Sequence, residues 1–146
     1  MFTFATDYFI GVFVSTLGTL QFAFSVGGLR ALLIFQNALV ARSLGLALAV
    51  GGSALFFETG FRNINDYEGG QDAPTQALFF FFGAASALAV TLTATSVINR
   101  RMVGPEEDEE AGIDSLRHTS YAVSLARAVS YWRRTWRTWT KRSLSP

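Results

Sequence analysis

The chain has 146 residues, a formal net charge of +1 and a mean hydropathy of +0.29, and 50% of its side chains are hydrophobic. It contains no cysteine, which excludes a disulfide framework, a thiolate metal site and a cysteine nucleophile. His118 is the single histidine and Lys141 the single lysine. A haem held by two histidines, a histidine-rich metal site, a Ser-His-Asp triad and a buried Schiff base are therefore not expected, and neither a cofactor nor an enzymatic activity is predicted.

Three long apolar stretches occupy residues 8–26, 39–57 and 76–98, and together they contain one charged side chain, Arg42. A helix of about 20 apolar residues spans the hydrocarbon core of a bilayer. Helices of soluble proteins instead carry charges every few residues along one face. This distribution predicts an all-α integral membrane protein in which residues 1–101 form a domain of three transmembrane helices.

The first stretch has a second interpretation, a cleaved signal peptide, because Ala23 and Ser25 are small residues at the spacing that a signal peptidase accepts. A signal peptide also needs a positive n-region and a short apolar core. Here the only early charge is Asp7, and the apolar run is too long. We therefore expect the first stretch to be a retained transmembrane helix.

The start of the second span allows two solutions. Residues 28–57 could form one continuous helix of about 45 Å, which would have to tilt to fit the bilayer. Alternatively, residues 29–41 lie at the interface and the crossing begins near Arg42. The polar residues of this segment do not share one helical face, which favours the single long helix.

Arg42 is the one charged side chain that this assignment could place within the hydrocarbon. A charge at that depth is by default a candidate for an ion or substrate role. The simpler interpretation is an interfacial anchor, in which the long side chain reaches the headgroups.

The charges between the spans predict the orientation, since positively charged short loops stay in the cytoplasm. The arginines on the predicted cytoplasmic side are Arg30, Arg42, Arg100 and Arg101. The opposite side holds one arginine, Arg62, among the acids Asp7, Glu58, Asp66, Glu68 and Asp72. The expected topology is N-out and C-in, with an external loop over residues 58–75, in a multi-pass protein of the plasma or inner membrane.

Small residues recur at four-residue spacing in every span. Such rows let helix backbones approach closely, which is how helices pack in lipid. The predicted packing residues are Gly11, Ser15 and Thr19 in the first span, Ala41, Gly45 and Ala49 in the second, and Gly83, Ala87 and Thr91 in the third. Small residues are also common in membrane helices in general. We expect a compact three-helix bundle.

The chain after the spans divides into an acidic linker, residues 102–112, and a basic segment, residues 113–146. The basic segment is predicted to be an amphipathic helix. Its apolar stripe comprises Tyr121, Leu125, Val129, Trp132, Trp136 and Trp139. The remaining arc carries Arg127, Arg133, Arg134, Arg137, Lys141 and Arg142.

Tryptophans on one side and cations on the other are typical of a helix in the headgroup region, where anionic lipids attract the cations. The predicted partner of this helix is therefore the cytoplasmic face of the lipid bilayer. Docking on a partner protein is the alternative interpretation. Nucleic-acid binding is not expected, because the tryptophans segregate onto one face rather than alternating with the cations along a groove.

Three functions remain open from the sequence. The first is a non-catalytic small membrane subunit that packs against other membrane subunits or copies of itself and is anchored by its C-terminal helix. The second is a homo-oligomeric channel or small transporter lined by polar residues such as Arg42. The third is a structural membrane protein of a virus or vesicle with a basic inward tail.

Overall fold

A computed structural model describes residues 4–58, 72–104 and 113–142. Within these ranges the regular structure is entirely helical, with no strand. The helices are α1 (Phe4–Val26), α2 (Ala38–Glu58), α3 (Ala73–Ile98) and α4 (Tyr121–Arg142), with 3₁₀ turns at Arg30–Leu32 and Ile113–Arg117. Most of the predicted external loop and the acidic run lie outside the described residues.

Three of these helices are long and apolar enough to cross a membrane. The apolar segments are Ala5–Val26, Ala38–Leu55 and Ala73–Ile98. They coincide, to within a few residues, with the three apolar stretches of the sequence. By length and composition, the prediction of an all-α chain with three candidate membrane spans is confirmed, as expected for a multi-pass membrane protein.

α1 ends in a glycine cap. Gly28 has a φ of 72°, in the left-handed region that residues with a Cβ rarely adopt. The Leu29 N–H donates to the Phe24 carbonyl at 2.9 Å, and the Gly28 N–H donates to the Ser25 carbonyl at 3.4 Å. This pair of bonds is the Schellman motif, which satisfies the last carbonyls of a helix and turns the chain away.

The single long helix predicted for residues 28–57 is wrong. Residues 27–37 form an irregular connection that contains the first 3₁₀ turn, and α2 begins only at Ala38. Asn37 caps α2, because its Oδ1 accepts hydrogen bonds from the N–H groups of Leu39 at 3.0 Å and Val40 at 3.3 Å. The helix is thus interrupted by a stop signal at Gly28 and a start signal at Asn37.

α1 is the central helix of the membrane domain. Both α2 and α3 pack along it, whereas among the described residues α2 and α3 have almost no contact with each other. The compact bundle expected from the sequence is therefore replaced by an open arrangement around α1. The small-residue faces of α2 and α3 are both directed at α1. Neither face is therefore available for close packing between α2 and α3.

The contact between α1 and α2 brings backbone against backbone. A Cβ added at Gly18 would lie 2.5 Å from the Gly45 carbonyl oxygen and 2.5 Å from the Ala49 nitrogen. One added at Gly52 would lie 2.8 Å from the Ser15 nitrogen. Real Cβ atoms do not approach other atoms this closely, so the glycines set the distance between the helices.

α3 packs on another side of α1 through a row of residues four apart. Gly83 faces α1, since a Cβ there would lie 3.2 Å from the Phe9 carbonyl oxygen. Ala87, Thr91 and Thr95 are fully buried. Both threonine hydroxyls donate to the carbonyl four residues earlier, at 2.8 Å for Thr91 and 2.7 Å for Thr95, so the buried row leaves neither hydroxyl without an acceptor.

The helix predicted over residues 113–146 begins later than expected. Residues 113–117 form the second 3₁₀ turn, and α4 starts at Tyr121. The Ser120 N–H donates to the Met102 carbonyl at 2.8 Å, so this amide is not available for a helical bond to residue 116. The bond to Met102 separates the turn from α4.

Replacing Gly52 by Ala should destabilise the membrane domain, whereas the same change at the adjacent Gly51 should not. The Gly52 Cβ would meet the α1 backbone, but none of the described residues lies within 4 Å of a Cβ at Gly51. Overpacking of this kind costs about 1–3 kcal/mol. We expect Gly52→Ala to lower the thermal unfolding midpoint in detergent by several degrees and Gly51→Ala to leave it unchanged or raise it. Equal shifts for the two variants would contradict the glycine contact.

Candidate functional site at the arginine end

α1 and α3 end, and α2 begins, at the same end of the membrane domain. The Ser25 hydroxyl donates to the Ala38 carbonyl at 3.2 Å, joining the last turn of α1 to the first residue of α2. Asn99, directly after α3, contacts the intervening connection. Four arginines lie in or next to these segments, and we call this region the arginine end: Arg30, Arg42, Arg100 and Arg101.

Gln21 holds the connection from the side of α1. Its side chain is 5% exposed although it belongs to the first apolar stretch. Its Nε2 donates to the Leu32 carbonyl at 3.2 Å, and its Oε1 accepts the Ile34 N–H at 3.0 Å. One amide thus satisfies a donor and an acceptor of the irregular backbone, as a buried polar group requires.

Asn99 holds the same connection from the side of α3. It is 5% exposed, and its Nδ2 donates to the carbonyls of Ala31 at 2.8 Å and Leu33 at 2.9 Å. Its Oδ1 accepts a hydrogen bond from Gln36 Nε2 at 2.8 Å. Asn99 therefore binds three groups that lie more than sixty positions earlier in the chain. We call Gln21, Gln36 and Asn99 the amide clasp.

The amide clasp is built to hold backbone rather than to act on a substrate. A side-chain amide offers two donor hydrogens and one acceptor oxygen. Both donors of Asn99 and its oxygen are already bonded within the protein. Leu32 and Leu33 of the connection are also buried. The clasp fixes the connection, and an amide has neither a titratable proton near neutral pH nor nucleophilic character with which to start a reaction.

Arg42 lies in the second turn of α2, close to the arginine end. It is exposed, and its Nη2 is 3.5 Å from the Ser25 carbonyl oxygen, which it approaches as a donor. Carbonyls at the end of α1 carry the negative pole of the helix dipole, which attracts a cation. The sequence offered no partner for this charge, and the structure provides one at the end of a neighbouring helix.

The segment before α4 is attached to the end of α3 by three hydrogen bonds. Ser120 donates its N–H to the Met102 carbonyl, and the Gly104 N–H donates to Thr119 Oγ1 at 3.1 Å. Arg127 Nη2 donates to the Gly104 carbonyl at 3.2 Å. Thr119 and Ser120 are buried in this contact. We call these bonds the latch, and they place the start of α4 at the arginine end.

α4 exposes large apolar side chains along one stripe. Leu125 and Val129 are each 48% exposed, and Trp132 and Trp136 are each 64% exposed. With Ala128 and Arg133 these four residues line a shallow concavity on the surface of the helix. Tyr121, at the start of the predicted stripe, is half-buried. The remaining residues of the predicted surface have side chains outside the described set: Arg134, Arg137, Trp139, Lys141 and Arg142.

Most of the predicted packing residues lie at or near the contacts of α1. Those that are buried are Gly11, Ala41, Gly45, Gly83, Ala87 and Thr91, and those that are half-buried are Ser15 and Ala49. Thr19 is exposed, and its hydroxyl donates to the Ser15 carbonyl of its own helix at 2.8 Å. Gly18 occupies the contact instead. A helix has 3.6 residues per turn, so one face continues in steps of three or four residues. A pattern that uses only four-residue steps reaches Thr19 and misses Gly18.

A crevice of about 200 Å³ opens between α1, α2 and α3, away from the arginine end. On one wall, the hydroxyl oxygens of Ser15 and Ser53 are 3.3 Å apart. Its lining residues are Tyr8, Gly11, Val12, Ser15, Thr16, Gly52, Ser53 and Phe80. This lining contains no carboxylate, histidine or basic side chain, so the crevice lacks an acid–base pair.

Neither a metal-binding cluster nor a similarity to known proteins assigns a function to this site. In residues 4–58, 72–104 and 113–142 there is no group of three or more histidine, aspartate or glutamate side chains that could hold a metal ion. No known protein family, curated protein or solved structure matches the chain.

Replacing Asn99 by Leu should loosen the connection between α1 and α2. The variant would leave the buried carbonyls of Ala31 and Leu33 without donors, and each unsatisfied group costs about 1–3 kcal/mol. We expect amide hydrogen exchange in a peptide covering residues 29–37 to accelerate by about tenfold or more. The matched control is Thr95→Val, one turn earlier on the same buried row, where only a bond within α3 is lost. Similar acceleration in both variants would contradict the clasp.

Proposed function

We propose that the chain is a non-catalytic small subunit of a membrane assembly, anchored at the cytoplasmic membrane face by α4. In this role the three spans pack against neighbouring membrane subunits, and the C-terminal helix fixes the subunit to the headgroup region. The observation that carries the proposal is the open arrangement around α1, which leaves most of α2 and α3 free for contacts outside the chain.

The surfaces of the spans support this role. Only 17% of the apolar window in α2, and 17% of that in α3, is buried within the chain. α3 exposes three consecutive aromatic side chains, Phe80, Phe81 and Phe82, and Phe81 is 71% exposed. In a membrane such surfaces face either lipid or another protein. Packing between membrane helices depends on shape rather than on hydrophobicity, so aromatic side chains beside small residues suit a neighbouring helix.

The proposed orientation follows from the charges at the arginine end. Arg42 donates to the Ser25 carbonyl in the last turn of α1, and Arg127 donates to the Gly104 carbonyl after α3, so both cations lie at this end. Positive residues next to spans are retained in the cytoplasm. This supports an N-out, C-in topology in which α4 lies on the cytoplasmic face of a plasma or inner membrane.

The amide clasp supports a role in packing rather than catalysis. Its polar groups are consumed in hydrogen bonds to the backbone of residues 30–34. These side chains therefore stabilise the shape of the membrane domain. A subunit that holds its spans in a defined arrangement presents constant surfaces to its neighbours.

Purification of the tagged chain from its native membranes tests the proposal. In a mild detergent that preserves helix contacts, we expect other polypeptides to copurify in a fixed ratio. Gly51→Leu offers a probe of the outer face of α2, because nothing in the described residues lies within 4 Å of a Cβ at this position. The variant should fold normally but recover less of a neighbour that packs there. A matched enlargement at an exposed site of α4, Ala126→Leu, should leave recovery unchanged.

The outcome that contradicts the proposal is a lone, monodisperse monomer in every mild detergent, with no polypeptide trapped by crosslinking in the intact membrane. A species that contains only copies of this chain would also contradict a role in a hetero-oligomeric assembly.

A further inference from the structure

α4 consists of two parts that make different contacts. Its first two turns belong to the latch, in which Arg127 donates to the Gly104 carbonyl and Ser120 precedes the helix in a buried position. The second part begins at Val129, which is 48% exposed. Trp132, Arg133 and Trp136 are exposed there. The cations of α4 are therefore not equivalent, since Arg127 is used within the protein.

The second part of α4 has a strongly biased charge. Residues 129–142 contain five cations and no acid: Arg133, Arg134, Arg137, Lys141 and Arg142. The latch places the start of α4 close to the end of the third span, because Met102, bonded to Ser120, follows Ile98 by only four positions. Where α3 crosses a bilayer, a basic segment that follows so soon after its end is attracted to anionic headgroups.

We propose that residues 129–142 of α4 bind anionic lipid headgroups, and that the latch holds this surface at the membrane. This proposal depends on the membrane placement in the proposed function but not on any partner subunit. The exposed apolar side chains of Val129, Trp132 and Trp136 enter the boundary between headgroups and acyl chains. The cations contact the phosphates. The occupant is thus a phospholipid surface of negative charge.

The shape of the surface favours a membrane over a nucleic acid or a peptide. The concavity on α4 is formed by one helix, so it has no second wall that would enclose a strand or a helix of a partner. The tryptophans and leucine share one stripe, which matches a flat apolar boundary. Stacking of successive bases would need aromatic side chains interleaved with cations along a groove.

The tryptophans make the test specific. The chain has three tryptophans, Trp132, Trp136 and Trp139, and all lie in α4. Intrinsic tryptophan fluorescence of the full-length protein therefore reports on α4 alone. The protein is reconstituted in bilayers of phosphatidylcholine with or without phosphatidylglycerol, each also prepared with brominated acyl chains. In the anionic bilayer we expect blue-shifted emission and strong quenching by bromine near the headgroups, both reduced by high salt.

The matched variants separate charge from fold. In Arg133→Gln/Arg134→Gln/Arg137→Gln, three cations are removed while helix-forming residues are kept. Each cation contributes roughly a fivefold factor at an anionic surface, so the triple variant should lose more than about tenfold of the preference for the anionic bilayer. Thr135→Gln/Thr138→Gln/Thr140→Gln makes the same number of changes in the same helix without altering charge, and it should behave like the wild type. Replacing the three arginines by lysine should also preserve the preference.

Several results would overturn the proposal. One is equal emission and equal quenching in neutral and anionic bilayers. Another is quenching that the arginine-to-glutamine variant retains in full. A third is a blue shift produced by an oligonucleotide in neutral bilayers as large as that produced by the anionic lipid. None of these results predicts whether other subunits copurify. The assembly role is therefore tested separately, by the copurification experiment.

Discussion

The irregular connection between α1 and α2 imposes the strictest chemical requirement on this fold. Residues 31–33 of this connection are buried among helix ends, where an unpaired donor or acceptor is costly. The amide clasp meets this requirement with Gln21 from α1 and Asn99 from the end of α3. The clasp thus ties α1 and the end of α3 to the segment that leads into α2, and this fixes the arginine end.

The second determinant is how closely α1 allows its neighbours to approach. Gly18, Gly45 and Gly52 remove the side chains that would otherwise separate α1 from α2, and Gly83 does the same for α3. In lipid, close packing is the main attraction between helices, so these contacts concentrate on α1. The outer faces of α2 and α3 then remain open, which is the property that the proposed role as a packing subunit uses.

The latch connects this membrane domain to α4. The Ser120 N–H donates to the Met102 carbonyl, and the Gly104 N–H donates to the Thr119 hydroxyl. Together with the Arg127 guanidinium, these bonds place the start of α4 next to the end of α3. A basic helix held there binds a charged bilayer with a smaller loss of translational entropy, because the latch already keeps it near the end of a span. The proposed assembly role and the proposed lipid contact thus share one structural origin at the arginine end.

The sequence by itself determined the three apolar spans, the helical class and the stripe of aromatic residues in the tail, because these follow from the length and period of apolar runs. It did not determine the break before α2. Gly28 is identified as a helix cap only by the hydrogen bonds that Leu29 and Gly28 donate to carbonyls of α1. The central place of α1, the partners of Gln21 and Asn99, and the latch were decided by the tertiary structure alone. These are contacts between residues far apart in the chain, and local pattern carries no information about which distant group will satisfy a buried amide.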